Sequence, residues 1–303
     1  MSEPRELRLH LDDEMRERAQ AGELGIANRI RAAFESRDFR VEFVSDSAEN
    51  RLSALPGTGY HLFHLQEAMG PNTLVLRLAY YYPFWRIEES NARWQFDVAH
   101  ATFDPETIDP ETARAFVARR RRKLFGARRP ENKGFILIPL QGRLTEHRSF
   151  QSMSPLDMIR ATRAADPERE ILLRRHPGES YSREEMTALR QLIDTTPGVR
   201  LATRPTLALL AECDYVVTQN SSVALAGFFL EKPAVLFARI DFHHIVASVP
   251  EIGIAAAFRA VRGPAPDYTR YLWWFLRETT IDATAEDAET RILARARRFG
   301  WPV

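Results

Sequence analysis

Five short apolar segments alternate with helical segments in the second half of the chain, and this alternation limits the fold more than any other feature. The apolar segments cover residues 135–139, 171–174, 199–202, 215–218 and 234–237. Helical patterns at residues 155–165, 183–195, 207–212 and 223–230 separate them. Continuous apolar strands joined through helices are typical of a parallel sheet that is covered on both faces. The sequence therefore predicts a parallel α/β domain here.

The first half of the chain has a less regular pattern. Residues 7–36 carry apolar positions near helical spacing and many charges, which predicts a helix. Residues 39–44, 60–65 and 73–79 are strand-like. His61 and His64 are three apart on one of these strands, so they fall on opposite faces and favour packing roles over a shared ligand site.

The polar segment 126–134, GARRPENKG, is broken by glycine and proline and predicts a domain boundary. We therefore predict an N-terminal α/β domain over residues 1–129 and a C-terminal domain over residues 130–303. The tail, residues 268–301, has the pattern of two more helices, which are long enough to cross back to the first domain.

Composition excludes several classes of protein. Lys and Arg number 42 against 41 Asp and Glu, so no global basic field indicates nucleic acid as a partner. One cysteine, Cys213, excludes an internal disulfide and a cysteine-based zinc site. The charged N-terminal segment lacks the apolar core of a signal peptide, and no apolar run reaches membrane-spanning length. We expect a cytoplasmic protein, with peripheral attachment to the inner membrane left open.

Polar side chains follow four of the five predicted strands of the second half. They are Gln141, Arg143, Glu146 and His147 after the first strand, Arg174, His176 and Glu179 at the second, Asn220, Ser221 and Ser222 after the fourth, and Arg239, Asp241, His243 and His244 after the fifth. Ligands of parallel sheets bind beyond the carboxyl ends of the strands. The concentration of Arg, His and Ser there predicts a binding cleft for an anionic ligand.

The turn at residues 219–222 places Asn220, Ser221 and Ser222 at the start of a predicted helix. A helix start presents unpaired N–H groups and the positive end of the peptide dipoles, which together suit a phosphate. The alternative is that Ser221 or Ser222 only caps the helix. Both interpretations stay open at this point.

Several catalytic motifs are missing from the sequence. It has no phosphate-binding P-loop, no G-x-G-x-x-G after the first strand of the second half, no G-x-S-x-G elbow and no D-x-D carboxylate pair. An anion site is therefore expected to use Arg, His, hydroxyls and helix ends, without a metal or another cofactor. The alternative is a metal held by Asp241, His243 and His244.

Two further stretches allow both a structural and a functional interpretation. A basic run, Arg119, Arg120, Arg121, Arg122 and Lys123, ends a predicted helix. Cations stabilise a helix C-terminus, but they also suit an anionic acceptor or lipid head groups. The aromatic block 80–86, YYYPFWR, suits stacking on a sugar or base, or packing between domains.

Short motifs in residues 134–244 resemble the capsule polysaccharide biosynthesis family, which includes the bacterial capsule Kdo transferases. The motifs are Pro139-Leu140-Gln141, Ser149-Phe150, Ser152-Met153, His176-Pro177, Asn220-Ser221-Ser222 and Lys232-Pro233. The resemblance implies a GT-B glycosyltransferase: two Rossmann-like domains facing across a cleft. The N-terminal domain would then lie on the acceptor side, and the C-terminal domain would bind a CMP-activated sugar as the donor substrate. It also implies a saccharide or lipid-linked saccharide acceptor and a link to a polysaccharide-assembly complex.

The resemblance also implies roles for single residues. His176 would contact the donor phosphate, Ser221 and Ser222 would cradle it, and Gln141 would lie on the cleft wall. The remaining donor-side candidates, taken from the strand ends, are Asn220, Arg174, Arg143 and Glu179. The family usually has an acidic residue after the Leu-Gln pair, where this chain has Gly142. Glu146 and His147 are therefore the candidates for the catalytic acid or base.

Two alternatives to a sugar transferase follow from the same residues. Teichoic-acid-type CDP-polyol phosphotransferases share a His-Pro pair and a Ser-Ser turn, and the stretch 210–214 also looks somewhat like theirs. The uncertain position of the catalytic acid keeps open a non-catalytic scaffold that binds a nucleotide or a polysaccharide precursor.

Overall fold

A computed structural model describes residues 5–303 of the protein. The chain forms two compact units. The first holds the described residues up to Ala101 together with Phe275–Val303, and the second is Thr102–Trp274. Within residues 5–303, no helix has both the length and the apolar character needed to cross a membrane.

Strands and helices alternate through most of the described chain. The strands are β1 Arg5–Leu11, β2 Phe39–Ser45, β3 Tyr60–His64, β4 Thr73–Leu78, β5 Phe84–Glu88, β6 Phe135–Leu140, β7 Glu170–Arg175, β8 Val199–Leu201, β9 Tyr215–Thr218, β10 Ala234–Leu236, β11 Ala247–Ser248 and β12 Ile281–Asp282. The α-helices are α1 Asp13–Gln20, α2 Gly25–Glu35, α3 Ala48–Leu52, α4 Asp97–His100, α5 Pro110–Phe125, α6 Pro155–Ala165, α7 Arg183–Thr195, α8 Thr206–Glu212, α9 Ser222–Phe228, α10 Val249–Ile252, α11 Ile254–Ala260, α12 Tyr268–Trp273 and α13 Ala288–Arg298. Short 3₁₀ turns lie at Arg93–Gln95 and Pro105–Thr107, and a π-helical turn at Trp274–Glu278.

The sheet of the first unit has the order β12-β5-β4-β3-β1-β2. Strands β1 to β4 pair in parallel, whereas β5 and β12 are antiparallel to their neighbours. The helix predicted from residue 7 is wrong at its start, since β1 occupies that stretch. Leu7, Leu9 and Leu11 are fully buried at a period of two, and β1 is paired on both sides. Asp12 then accepts from the Met15 N–H and begins α1 as its cap.

The sheet of the second unit has the order β11-β10-β9-β6-β7-β8, and all of its strands are parallel. The predicted parallel sheet is therefore confirmed. Strand β6, FILIPL, is buried along its whole length. Continuous burial is what a central strand covered by helices on both faces requires.

Two segments belong to a different unit from the one that the predicted division at residues 129–130 assigns them. Helix α5 lies in the second unit, where it packs against α12 and buries Ala113, Phe116 and Phe125. The segment Phe275–Val303 lies in the first unit, where β12 pairs with β5 through Ile281 and Trp85. The polar stretch 126–134 is a surface loop of the second unit. Glycine, proline and charged residues are as common in exposed loops as at domain boundaries, so the pattern alone did not distinguish the two.

Candidate active site

The polar loops that follow β6, β7 and β9 lie side by side, because these three strands are neighbours in the parallel sheet. Gln141 follows β6 and Asn220 follows β9. The Gln141 Nε2 atom donates to Asn220 Oδ1 at 3.2 Å, and the Asn220 backbone N–H donates to Gln141 Oε1 at 3.5 Å. The structure thus brings these two predicted site residues into direct contact at the carboxyl edge of the sheet.

His176 follows β7 directly, and its side chain is exposed. The Gly178 backbone N–H donates to His176 Nδ1 at 3.1 Å, so Nδ1 holds the lone pair and the neutral ring carries its proton on Nε2. The His176 backbone N–H donates to the Tyr181 hydroxyl at 2.9 Å, which donates to the Leu140 carbonyl at 3.3 Å. His176 is therefore tied to the end of β6 and presents Nε2–H as a donor.

Ser221 and Ser222 have different surroundings at the start of α9. Ser221 is buried and caps the helix, its hydroxyl oxygen accepting from the Val223 N–H at 3.3 Å. Ser222 is the first helical residue and is exposed. The capping interpretation of this turn therefore holds for Ser221, and Ser222 is the hydroxyl turned to solvent.

Glu146 and His147 lie in the loop after β6, and both are exposed. Arg143 Nη1 lies 3.2 Å from Glu146 Oε2, an ion pair that contributes little at such exposure. His147 Nε2 lies 2.8 Å from the Gln151 carbonyl oxygen. A carbonyl only accepts, so His147 donates through Nε2 and keeps a lone pair on Nδ1. In the neutral His147 ring, Nδ1 is thus the acceptor atom.

Arg174 and Glu179 flank His176 along the chain. Arg174 is half-buried near the end of β7, and its Nε has no hydrogen-bond partner among the residues that the structure describes. Glu179 lies against Gly142, where a Cβ atom would come within 2.5 Å of Glu179 Oε2. Only glycine fits there without moving that carboxylate.

A cavity of about 510 Å³ opens beside Gly142, between the loops after β6 and β7. Three carboxylates line it, those of Glu146, Glu179 and Glu185, against the single guanidinium of Arg143. This balance suits hydroxyl groups or a cation better than a phosphate. Glu146 and Glu179 thus line one acidic cavity together with Glu185.

Gln151 is a candidate that the sequence reasoning missed. Its side chain is 6% exposed, and its Oε1 accepts from the Arg148 backbone N–H at 2.8 Å. That bond fixes which end of the amide is oxygen. The Nε2 donor is then buried with no partner among the described residues. Gln151 also forms an isolated antiparallel β-bridge with Ala238, beyond β10. The sequence signal that could have identified it is its position between the Ser149-Phe150 and Ser152-Met153 pairs.

Gln219 is a second buried amide at this edge. Its Nε2 donates to the Met153 carbonyl at 3.1 Å, and its Oε1 has no partner within residues 5–303. An unpaired buried polar atom costs about 1–3 kcal/mol, so native proteins rarely keep one without a ligand or water. Gln151 and Gln219 thus add an unpaired donor and an unpaired acceptor near the predicted site residues.

In the loop after β10, both histidines have hydrogen-bonding partners. His243 Nδ1 bonds the Ile240 carbonyl at 2.8 Å, and His244 Nδ1 lies 3.0 Å from the Tyr271 hydroxyl. Across residues 5–303, no cluster of three or more His, Cys, Asp or Glu side chains is placed to hold a metal ion. The structure therefore gives no support to a metal held by Asp241, His243 and His244. Arg239 is exposed at the start of this loop.

Lys232, from the Lys-Pro pair of the resemblance, has a structural role. It is 2% exposed, and its Nζ donates to the Glu131 carbonyl at 2.5 Å and to Asn132 Oδ1 at 2.8 Å. Burial lowers the pKa of this amine. Lys232 precedes β10, so it lies at the amino end of the strand, away from the edge that holds His176.

The basic run ends α5 in the second unit. Arg119, Arg122 and Lys123 are exposed, and Arg120 and Arg121 are half-buried. The Arg120 guanidinium lies 5.8 Å from the centre of the Phe116 ring. The exposed members form a cationic surface on the helix.

No protein-family profile matches the sequence, and no curated protein matches it. Among solved structures, the chain is similar to the β-Kdo 2,7-transferase of KpsC from Thermosulfurimonas dismutans, with 13% identity, coverage of 95% of this chain and 99% of that one, and a TM-score of 0.53. The β-Kdo 2,4-transferase of the same protein gives 12% identity, 88% coverage of each chain and a TM-score of 0.48. The UDP-GlcNAc 2-epimerase of Neisseria meningitidis gives 11% identity, coverage of 97% and 99%, and a TM-score of 0.36.

Of these likenesses, the one to the 2,7-transferase exceeds a TM-score of 0.5 over nearly the full length of both chains. At 13% identity it establishes the fold and no more. The predicted resemblance to capsule Kdo transferases is confirmed at that level. The chain has a GT-B-like α/β fold built from two Rossmann-like units.

Proposed function

We propose that the protein is a glycosyltransferase of surface polysaccharide synthesis that takes a nucleotide-activated sugar, CMP-linked, at the carboxyl edge of β6, β7 and β9. The observation that carries this proposal is that Gln141, Asn220 and His176 lie at one edge of a parallel sheet. The Tyr181 hydroxyl connects His176 to the end of β6. This is where such sheets bind ligands. The proposal needs no metal and no further cofactor.

The donor phosphate is the group that this edge recognises. As the bond between the sugar and the phosphate breaks, negative charge develops on the leaving CMP. His176 Nε2–H and the Ser222 hydroxyl donate to that charge. The half-buried Arg174 adds a cation at the end of β7.

The acceptor hydroxyl forms the new bond to the anomeric carbon and gives up its proton. His147 takes this proton on Nδ1, because its Nε2–H is already engaged with the Gln151 carbonyl. Glu146 is the second candidate base, although Arg143 holds its carboxylate. The electron pair of the broken bond leaves with CMP, so atoms and charge balance without another reactant.

The acceptor that we propose is a saccharide or a lipid-linked saccharide. The exposed cations Arg119, Arg122 and Lys123 of α5 are the surface for anionic acceptor groups or lipid head groups. Sedimentation with vesicles of anionic and of neutral lipids tests this surface. Glutamine at all three positions should abolish binding to the anionic vesicles.

Thermal stabilisation by CMP, CDP, UDP, GDP and ADP tests the donor. A ligand that binds only the folded state stabilises it by about 2.7 kcal/mol at 100 times its dissociation constant, which shifts the melting temperature measurably. We expect a CMP-selective shift that is lost in His176→Ala. A melting-temperature shift selective for UDP or GDP would contradict a CMP-linked donor and indicate the other nucleotide instead. No shift with any nucleotide would overturn the proposal that the protein is a transferase.

Product analysis with the matching activated substrate completes the test. Transfer of the sugar alone supports the proposal. A phosphate that moves with the group would make the protein a polyol phosphotransferase. A nucleotide that binds and is never turned over would make it a scaffold.

A further inference from the structure

A cavity of about 190 Å³ lies in the second unit, at the amino ends of β10 and β11. Pro233 and Ala234 line it where β10 begins, and Ile245 and Val246 line it just before β11. The loop between α11 and α12, residues 263–266, supplies a further wall. The donor site that we propose lies at the carboxyl edge of the same parallel sheet. This cavity is therefore separate from it.

The wall of the cavity is apolar. Its side chains are those of proline, alanine, isoleucine and valine, together with one tyrosine, Tyr268. Of the described residues that line it, none is charged. A phosphate or a carboxylate would lose its hydration there without gaining a counter-charge, and a sugar would leave most of its hydroxyls unpaired. The cavity therefore does not suit a nucleotide or a saccharide.

Tyr268 supplies the polar side-chain group of this wall. The residue is 4% exposed, and its hydroxyl has no hydrogen-bond partner within residues 5–303. Its oxygen is nevertheless not among the fully enclosed polar atoms. Buried tyrosine hydroxyls usually find a partner. A ligand in the cavity can supply the partner that the described chain does not.

The Tyr268 hydroxyl is a neutral group. Burial raises its pKa, and the charge of the Glu231 carboxylate raises it further. A neutral phenolic hydroxyl both donates and accepts one hydrogen bond readily. The nearby carboxylate disfavours a ligand that carries negative charge. The chemistry at Tyr268 thus suits an uncharged oxygen.

Rigid and small residues shape the cavity. Pro233, Pro264 and Pro266 have φ fixed by their rings, and Ala234 and Ala247 carry only a methyl group. Protein interiors are packed like organic crystals, so a space of this size between fixed elements offers contacts that a ligand can make. An apolar cavity of about 150 Å³ binds benzene. The volume here fits one six-membered ring or a short branched chain.

We propose that this cavity binds a compact, uncharged molecule, a single ring or short branched hydrocarbon that carries one hydroxyl. Its hydrocarbon body packs on Ile245, Val246 and the prolines, and its hydroxyl bonds to that of Tyr268. Gly263 and Ala265 are exposed, so the loop that they belong to separates the cavity from solvent and is the way in. The inference goes beyond the proposed transferase and does not depend on it.

Methyl NMR on the full chain tests the site, with phenol and toluene as the probes. We expect both probes to shift the methyl signals of Ile245, Val246 and Val261, which line the cavity. Glucose should leave these signals unchanged, because it would bury hydroxyls without partners.

Tyr268→Phe separates the hydroxyl from the apolar wall. It should weaken phenol binding about fivefold, the value of roughly one net hydrogen bond, and leave toluene binding unchanged. The hydroxyl has no partner in the described part of the chain, so the melting temperature of Tyr268→Phe should not fall. A hydrogen bond that holds the fold would lower it.

Ala234→Leu places a larger apolar side chain at the start of β10 and should abolish binding of both probes. Ala164→Leu is the matched control, since Ala164 is exposed on α6 and does not line the cavity. If Ala234→Leu does not fold, Tyr268→Phe with the two probes still decides the question.

Three results would overturn the inference. The first is the absence of shifts at Ile245 and Val261 with both probes, and the second is phenol affinity that Tyr268→Phe leaves unchanged. The third is a shift of the same methyl signals by glucose, which would make the cavity a saccharide site. Shifts by phenol that weaken in Tyr268→Phe, with toluene unaffected, would support the site.

Discussion

The Nε2 atom of His10 lies 3.0 Å from the Nδ1 atom of His61 in the interior of the first unit. His61 Nε2 lies 3.2 Å from the Thr58 carbonyl, which only accepts. His61 therefore carries its proton on Nε2, and His10 donates to its Nδ1. Two neutral rings satisfy this chain of bonds, whereas two protonated rings would place two N–H donors against each other. Burial accordingly lowers the pKa of His10 to about 3 and lowers that of His61.

We predict that the protein loses stability as the pH falls from 6.5 towards 4. The folded-state pKa values of His10 and His64, about 3 and about 4, lie below the ordinary value of 6.5. The unfolded chain therefore binds more protons in this window, so stability rises with pH and is lost on acidification. Each such histidine contributes a slope of up to about 1.4 kcal/mol per pH unit.

Urea unfolding at several values between pH 7 and pH 5 measures this slope, above the range where most carboxylates titrate. His10→Phe keeps an aromatic ring beside Phe63, whose ring centre lies 4.3 Å from that of His10. Because one titrating group is removed, the slope of the unfolding free energy against pH should fall by up to about 1.4 kcal/mol per pH unit. A midpoint that does not change between pH 6.5 and pH 5 would contradict the prediction.

If the proposed mechanism holds, His176→Ala should lower kcat by about 10²–10³-fold, because it removes the donor that we propose stabilises the charge of the transition state. The side chain is exposed, so the melting temperature should stay within a degree or two of the natural chain's. Turnover of a CMP-sugar and a thermal melt measure the two effects. His100→Ala is the matched control, an exposed histidine of the first unit. Turnover near that of the control would remove His176 from the mechanism.

Gln151→Glu should weaken nucleotide binding about tenfold, the cost of roughly one hydrogen bond to a charged group. The substitution keeps the oxygen that accepts from Arg148 N–H. It replaces Nε2, a donor without a partner in the described part of the chain, by a second oxygen. The new charge would repel a phosphate. Calorimetric titration with CMP measures the change, and Gln191→Glu, on the exposed face of α7, controls for added charge. Equal affinity in both variants would show that Gln151 does not face the donor.

The second unit was largely predictable from its sequence. A strand buried on both faces must be apolar at every position, so FILIPL at 135–140 is recognisable without any partner. Once β6 and β9 are known to be parallel neighbours, the residues after them must meet, as Gln141 and Asn220 do. Local pattern and one topological rule were sufficient there.

The first unit shows where local pattern fails. Leu7 and Leu11 are four apart, as on one face of a helix, and only the burial of Leu9 between them distinguishes the strand. Ile281 pairs with Trp85, about 200 residues away along the chain. A local sequence pattern does not predict such a long-range strand pairing. Gln151 Nε2, which has no partner among residues 5–303, can be recognised only after every neighbouring hydrogen bond has been assigned.

Lys232→Met should lower the free energy of unfolding by about 1–3 kcal/mol, because it leaves the Glu131 carbonyl and the Asn132 side chain without their buried donor. Methionine keeps much of the length of the side chain, so the loss comes from hydrogen bonds more than from packing. CMP binding by the folded variant should be unchanged, since Lys232 lies at the amino end of β10 and the proposed donor site lies at the carboxyl edge. Urea unfolding and titration with CMP separate the two properties. Lys133→Met is the matched control for the loss of a lysine from the same loop. Its side chain is half-exposed, and its Nζ atom lies 3.2 Å from Glu212 Oε2. Full stability with lost CMP binding would instead make Lys232 a ligand-binding residue.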